Sequence, residues 1–563
     1  MTTAKNDNLR PHTRLFSLLQ PEGKDIAIII SFSVITGMLY LATPLAVDAV
    51  VQNIAFGGQQ QVYVQTLLIF SFALLVFLVL LSLISATQHY VAELMQQRIF
   101  VRLATDLSFR LPRLRFSSWE QTPTQELINR FLDVTTLQKS SAIILLDGVN
   151  VVLSSGIGML VLAFYHPFLL AFDFILIIAL LLILFPLGRT GVASSIRESY
   201  AKHAVAGWLE QMVMFPLVFK NPAGKQLSLR RSRDYVDDYL TKRKAHYRVL
   251  IRQIAGLLGL QALASAGLLA VGGTLVLGGE LTLGQLVASE LIVSAIVTAL
   301  VGLGKHIEIW YDALAATDKL GSIVDLAIER ETGEAPELAP GPLAIRYQDL
   351  NFGFNAPVLD HFDLEIPPGS AIGITGPLGS GTGTLLELTY GLRAPDKGTV
   401  LINQRDVRLW HLDTIRSALV FMREAEVFEG TIAENVRLGN KGISLDAVRH
   451  HLAEVDLLGR VRGLTEGLDT PLNTGGRPLS GGEIKLLCLA RLLAMKPRAI
   501  LLDKILDGLD SKQFRKAIDV LFHPSREWTL VVASHDPQIL RRCDHIVHLD
   551  MKSSWTTPKS IAK

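Results

Sequence analysis

The sequence predicts two folds in series: a bundle of six transmembrane helices, then a cytoplasmic α/β domain. Three observations carry this. The 563-residue chain is 49% apolar and only 19% charged, against about 25% charge in an ordinary soluble domain, and its mean hydropathy is +0.35. Uncharged runs long enough to cross a hydrocarbon layer of ~30 Å recur up to residue 304 and then stop. Beyond them, short apolar strands alternate with helix-compatible stretches, the pattern of an α/β domain. The charge is nearly balanced, 54 basic against 52 acidic residues, which argues against nucleic acid as the partner. Two cysteines, Cys488 and Cys543, exclude a disulfide framework and a Cys-rich zinc site.

The spans follow in order. Ile26–Val47 and Thr66–Tyr90 carry no charge. Ala142–Leu187 is about twice the length one span needs, and His166-Pro167 divides it into two. Arg252–Glu280 encloses a fifth run, and Leu281–Gly304, interrupted only by Glu290, makes a sixth. Lysine and arginine set the orientation. Four precede the first span, seven fall in residues 91–140 and eleven in residues 191–249, whereas the three opposite connections (51–63, around His166-Pro167, and 277–281) have none. Both termini are therefore expected in the cytoplasm. A cleavable signal is not expected, because the first apolar run is too long and lies too far in.

The basic connections 91–140 and 191–249 are too long to be structureless. They read as helical hairpins continuing the spans, with turns near Phe116–Thr124 and Trp208–Phe219. The expected division is a cytoplasmic segment 1–24, a transmembrane domain 25–322, a linker 323–342, an α/β domain 343–550 and a polar tail 551–563. Asp147, Asp173 and Glu290 lie in or at the edges of the apolar runs. An intramembrane carboxylate either lines a pathway or sits near an interface or a hydrogen-bonding helix; Glu290 is the most central.

Within the α/β domain, Ala371–Leu388 reads AIGITGPLGSGTGTLLEL: a strand, a glycine-rich loop, then a helix. That is the context of a phosphate-binding P-loop, G-x-x-x-x-G-K-[ST], whose N–H groups face phosphates. Gly376, Gly379 and Gly381 keep the spacing, followed by Thr382, Gly383 and Thr384. Further on come PLSGGEIKLLCLARLLA (Pro478–Ala494), AILLDKILDGLD (Ala499–Asp510) and VVASHD (Val531–Asp536).

At these motifs the chain resembles a half-transporter of the ATP-binding cassette (ABC) exporter type, over about residues 20 to 550. The resemblance implies a six-helix transmembrane α-helical domain followed by an α/β P-loop NTPase-like (ABC) nucleotide-binding domain. It also implies ATP and Mg2+ as cofactors. Two halves pair in that family, each holding ATP between its own P-loop and the other's LSGGQ signature. Phe354 then matches the aromatic that stacks on adenine. Ser480, Gly481, Gly482 and Glu483 match the signature, Asp503 the residue that holds the metal, Asp510 the D-loop aspartate and His535 the switch histidine. Thr282–Ser294 (TLGQLVASELIVS) is similar to the sixth-span region of bacterial peptide and protein exporters.

The departures from that pattern are specific. Thr382 stands at the P-loop lysine and Gly383 at the magnesium-binding hydroxyl. Arg423, in VFMREAEVFEGTIAENV (Val420–Val436), stands at the Q-loop glutamine, and Lys504 at the catalytic glutamate. Hydrolysis needs an oriented water and charge neutralisation at the transferring phosphoryl group, and an ammonium at 504 cannot accept that water's proton. The chain's own site is expected to be hydrolysis-deficient, with Mg2+ weak or absent, and two readings of the pocket stay open: one that still holds nucleotide or phosphate, and one that has lost nucleotide. The kept signature fits a heterodimer with a second ABC half-transporter bearing an intact Walker A lysine and Walker B glutamate, in a bacterial inner membrane. The alternative is a regulatory or scaffolding membrane pseudo-ATPase that moves no cargo.

Overall fold

In a computed structural model of the chain, residues 11–55, 60–121 and 124–550 are described. The first ten residues, the tail 551–563 and parts of the connection 51–63 and of the turn at 116–124 lie outside them. The chain divides into two compact units: Met1–Leu114 with Ser118–Ile328, and Arg115–Ser117 with Glu329–Lys563.

The first unit is helical. Five helical stretches among the described residues are long and apolar enough to cross a membrane: Pro11–Gln52, Leu67–Arg113, Asn129–Tyr165, Pro167–Gly188 and Pro222–Leu277. The sequence leads one to expect six. The sixth falls in the helix Leu283–Val324, whose apolar part Leu283–Ile296 is shorter than a span. Part of the rest of that stretch lies outside the described side chains.

Local chemistry sets the helix ends. After Tyr165 the chain turns extended at His166, whose Nδ1 accepts from the Phe168 amide, and Pro167 opens the next helix. Proline suits that first position because the amide it lacks would be unbonded there anyway. Asn221 accepts from the Gly224 amide at 2.7 Å and starts the 56-residue helix Pro222–Leu277. At ~1.5 Å per residue this helix is about 84 Å long, far more than a bilayer core. Its apolar half is the part from Arg252 on; the polar half must stand in water. The helix Gln60–Arg110, 51 residues, divides the same way.

A buried charge cluster joins the helices Asp133–Ile143, Gly191–Met214 and Leu283–Val324. Lys319, 1% exposed, lies 3.4 Å from the Asp133 carboxylate and donates to the Ser199 carbonyl, with His203 against both. Burial pushes the Lys319 ammonium down to about 8, against the pull of Asp133.

The second unit is built on three sheets. Strands β1 (Ile345–Gly353), β2 (Pro357–Ile366), β4 (Lys397–Ile402) and β5 (Arg405–Asp406) form an antiparallel sheet in the order β2-β1-β4-β5. Strands β3 (Ala371–Thr375), β6 (Leu419–Met422), β9 (Ala499–Asp503), β10 (Thr529–Ala533) and β11 (His545–His548) form a parallel sheet, ordered β11-β3-β10-β9-β6. Every residue of β9 and β10 is buried, which explains their unbroken apolar runs: a parallel sheet is covered on both faces. Strands β7 (Gly430–Thr431) and β8 (Pro471–Leu472) form a small antiparallel pair.

The stretch Glu329–Pro342 is fastened to this unit. Arg416 grips the Glu329 carboxylate with two bonds of 2.5 and 2.7 Å, Glu334 exchanges backbone bonds with Leu409 and His411, and Arg498 donates to the carbonyls of Ala339 and Gly341.

Candidate nucleotide site

In an open parallel sheet, ligands bind beyond the carboxyl ends of the strands. Here those ends belong to β3, β10, β9 and β6, side by side. The register decides what meets there. Met422 pairs with Leu502 across β6 and β9, so the next residue of each strand direction, Arg423 and Asp503, falls together at the edge. Ala533 pairs with Asp503 and with Ile374, bringing in the segment that carries His535 and the loop that follows Thr375.

That loop runs through Gly376, Gly379 and Gly381 into the helix Thr382–Thr389. Gly381 precedes the helix at φ +88, and a Cβ there would fall 2.6 Å from Val358 Cγ1, so only glycine fits. No side chain caps this helix. Its first N–H groups are thus free of side-chain acceptors, and helix N-termini favour anions. Thr382, Gly383 and Thr384 form its first turn.

The guanidinium of Arg423 fills the space beside that turn. Its Nε donates to Asp503 Oδ2 at 2.8 Å, one terminal nitrogen to Glu387 Oε1 at 2.7 Å, and the other to the Gly383 carbonyl at 3.4 Å. Glu387 and Asp503 are 5% and 8% exposed, and buried carboxylates need such partners. Burial works against the Arg423 cation, but its bonds to Glu387 and Asp503 prevail and hold it above its ordinary range. A Cβ at position 383 would lie 3.0 Å from Arg423 Nη2 and 2.9 Å from Asp503 Oδ2. The missing side chain at 383 and the arginine at 423 are therefore one arrangement.

The network extends toward Phe354. Glu387 Oε2 accepts from Arg393 Nε, and the Arg393 guanidinium carbon lies 4.9 Å over the Phe354 ring, which meets Phe352 edge-on at 5.2 Å. Phe354, 60% exposed, sits between β1 and β2. Lys504 follows β9 with φ +56, its amide bonded to the Ala533 carbonyl. Its ammonium has no hydrogen-bond or ion-pair partner among the described residues. His535 Nδ1 lies 3.3 Å from Thr375 Oγ1.

The signature residues open the helix Gly481–Ala494. Ser480 and Glu483 form a reciprocal capping box: the Glu483 amide donates to Ser480 Oγ at 3.3 Å and the Ser480 amide to Glu483 Oε2 at 2.7 Å. Arg460 Nε also donates to Glu483, at 3.0 Å. Glutamate at the fifth signature position thus serves as the helix cap. Asp510 caps the helix Ser511–Leu521 through the amides of Lys512 and Gln513. Among the described residues, no hydrogen bond or ion pair joins Ser480, Gly481, Gly482, Glu483 or Asp510 to the P-loop residues.

The sequence reading missed Glu387 and Arg393. A signal existed: Glu387 interrupts the apolar stretch TLLEL and lies four residues after Gly383, on the same face of the helix.

Comparison with known proteins fits both units. Residues 26–300 match the family model described as the ABC transporter transmembrane region, and residues 359–506 the one described as ABC transporter. The chain belongs to the ABC transporter family. It is 25% identical over 481 residues to an ATP-dependent lipid A-core flippase from Desulfotalea psychrophila, covering 82% of each chain. It is 30% identical over 278 residues to the mycobactin import ATP-binding/permease protein IrtB of Mycolicibacterium smegmatis, covering 47% of this chain and 48% of that one. Its fold resembles the structure of a bacterial Atm1-family ABC exporter with ATP bound, with TM-score 0.84 and 20% identity over 95% of this chain and 94% of that one.

The ABC transporter domain implies ATP binding with Mg2+. The residues at this chain's own site do not fit the metal. The expected metal ligand Asp503 is engaged by Arg423, position 383 has no hydroxyl, and the room for one is taken by the guanidinium.

Proposed function

We propose that this chain is the non-catalytic half of an ATP-driven ABC exporter, whose degenerate Walker A and Walker B site does not hydrolyse ATP. Its contribution to chemistry is the LSGGE signature, Leu479–Glu483, offered to the ATP site of a partner half that carries the Walker A lysine and Walker B glutamate. The observation that carries this reading is the guanidinium of Arg423 seated on Asp503 and against Gly383, at the position where hydrolysis requires a metal and an activated water. The capped signature helix supports the second half of the reading. Its first N–H groups and the Ser480 hydroxyl proton remain available to a γ-phosphate, which the positive helix end favours.

On the same reading the chain is integral to a bacterial inner membrane. Both termini are cytoplasmic, in accord with the lysine and arginine asymmetry of its connections, and the helix Leu283–Val324 supplies the sixth span. Residues 323–342 join the transmembrane domain to the nucleotide-binding domain at 343–550.

The test is ATPase activity of the purified chain alone and with a co-purified catalytic half. The chain alone is expected at background, the pair active, and the pair to lose activity when Ser480 is replaced by a bulky residue. Robust hydrolysis by the chain alone, unchanged by Lys504→Ala, overturns the proposal.

A further inference from the structure

We infer that Arg423 is the resident cation of this chain's own nucleotide site, so that the site takes a nucleoside triphosphate free of divalent metal. The inference rests on the reading of the site as non-hydrolytic, and extends it from what the site fails to do to what it binds.

The argument begins with charge. Two buried carboxylates, Glu387 and Asp503, face two guanidinium groups, Arg423 and Arg393. The four formal charges cancel. A divalent cation brought to Asp503 would break the 2.8 Å bond from Arg423 and stand beside a cation already held there. Metal entry is opposed by charge and by space.

The donor count gives the complementary half. A guanidinium has five N–H groups in a planar fork, and the bonds to Asp503, Glu387 and the Gly383 carbonyl occupy three of them. Two remain at the edge of the P-loop helix, whose first turn has no side-chain cap. Arginine binds phosphate oxygens in pairs through such a fork. A free triphosphate can take these N–H groups without bringing a second cation to the Asp503 carboxylate that Arg423 already holds, whereas its metal complex cannot. The ammonium of Lys504, directly after Asp503 and without an ion-pair partner among the described residues, is the positive charge at this edge of the sheet that the carboxylates do not cancel.

Gly383 is the steric condition. A side chain there would press on Arg423 Nη2 and Asp503 Oδ2. The glycine at the hydroxyl position is thus read as an adaptation to the arginine.

The experiment is equilibrium binding of radiolabelled ATP to the full-length chain in detergent, without a partner half, in excess EDTA and in excess Mg2+. The expected dissociation constants agree within about threefold between the two conditions. Arg423→Gln should weaken binding in EDTA by about tenfold or more, the loss of one charge-assisted phosphate contact. Arg423→Lys, which keeps the charge, should lose less. Gly383→Ser, which leaves Arg423 in place but crowds it, should weaken EDTA binding in the same direction. Gly383→Ser combined with Arg423→Gln should bind better with Mg2+ than without. Wild-type binding that Mg2+ tightens by about tenfold or more, or no binding in either condition, overturns the inference. Hydrolysis by the same lone chain would instead strike at the non-catalytic reading, so the two failures are told apart.

Discussion

Replacing Arg423 with glutamine should destabilise the nucleotide-binding unit and at the same time create a metal site. The structure sets the magnitude. Glu387 keeps Arg393 as a partner, so the main casualty is Asp503, left 8% exposed with its Oδ2 bond from Arg423 gone. Removing one partner of a buried ion pair costs about 3–5 kcal/mol. In a unit of about this size each kcal/mol shifts the melting temperature by about 2–4 °C, so a drop of about 10 °C is expected. The assay is thermal unfolding of the full chain in detergent, followed by intrinsic fluorescence, without divalent ions. Adding Mg2+ should raise the midpoint of Arg423→Gln, because the vacated carboxylate can now take a cation, and leave wild type unmoved. The reasoning fails if the variant melts within about 2 °C of wild type, or if Mg2+ stabilises both alike.

Other predictions follow from the same geometry. Lys504→Glu alone should leave the lone chain's ATPase at background, since Thr382, Gly383 and Arg423 remain; only restoring lysine, serine, glutamine and glutamate together at 382, 383, 423 and 504 should give hydrolysis above it. In the first unit, Lys319→Met should cost up to about 3–5 kcal/mol, because the buried Asp133 carboxylate loses its ammonium and keeps the His203 imidazole at 3.4 Å, and adding Asp133→Leu should recover most of that; thermal midpoints of the single and double variants check it. Lys319 is held down at about 8 from 10.5, so the unfolded chain binds more protons between those values and this lysine makes stability rise as pH climbs from about 8 to about 10.5. The rise should be absent in Lys319→Met; an equal rise in the variant would assign the effect elsewhere.

Much of the molecule was legible in the residues because it rests on local patterns. Uncharged runs mark the first five apolar helices, since a charge in hydrocarbon is costly wherever the helix packs. The His166-Pro167 break is a property of two adjacent residues, and the structure places a helix cap there. The strand, glycine loop and helix at Ala371–Leu388, and the capping box of LSGGE, are likewise short-range. The sixth span was less clear, because the apolar run Leu281–Gly304 lies inside one longer helix, and its apolar part among the described residues ends at Ile296.

By itself the sequence determined which residues depart from the pattern: Thr382, Gly383, Arg423 and Lys504. It could not say what those departures do to one another. Arg423 and Asp503 are 80 residues apart and Arg423 and Glu387 are 36 apart; they meet because β6 lies beside β9 in register and the P-loop helix packs over that edge. A missing hydroxyl and an added arginine read as two losses along the chain. Folded, the guanidinium occupies the space a side chain at 383 would need and satisfies the carboxylates left without a metal. Only tertiary structure decides this, because ion pairing and steric exclusion depend on distance in space, and distance along the chain carries no record of it.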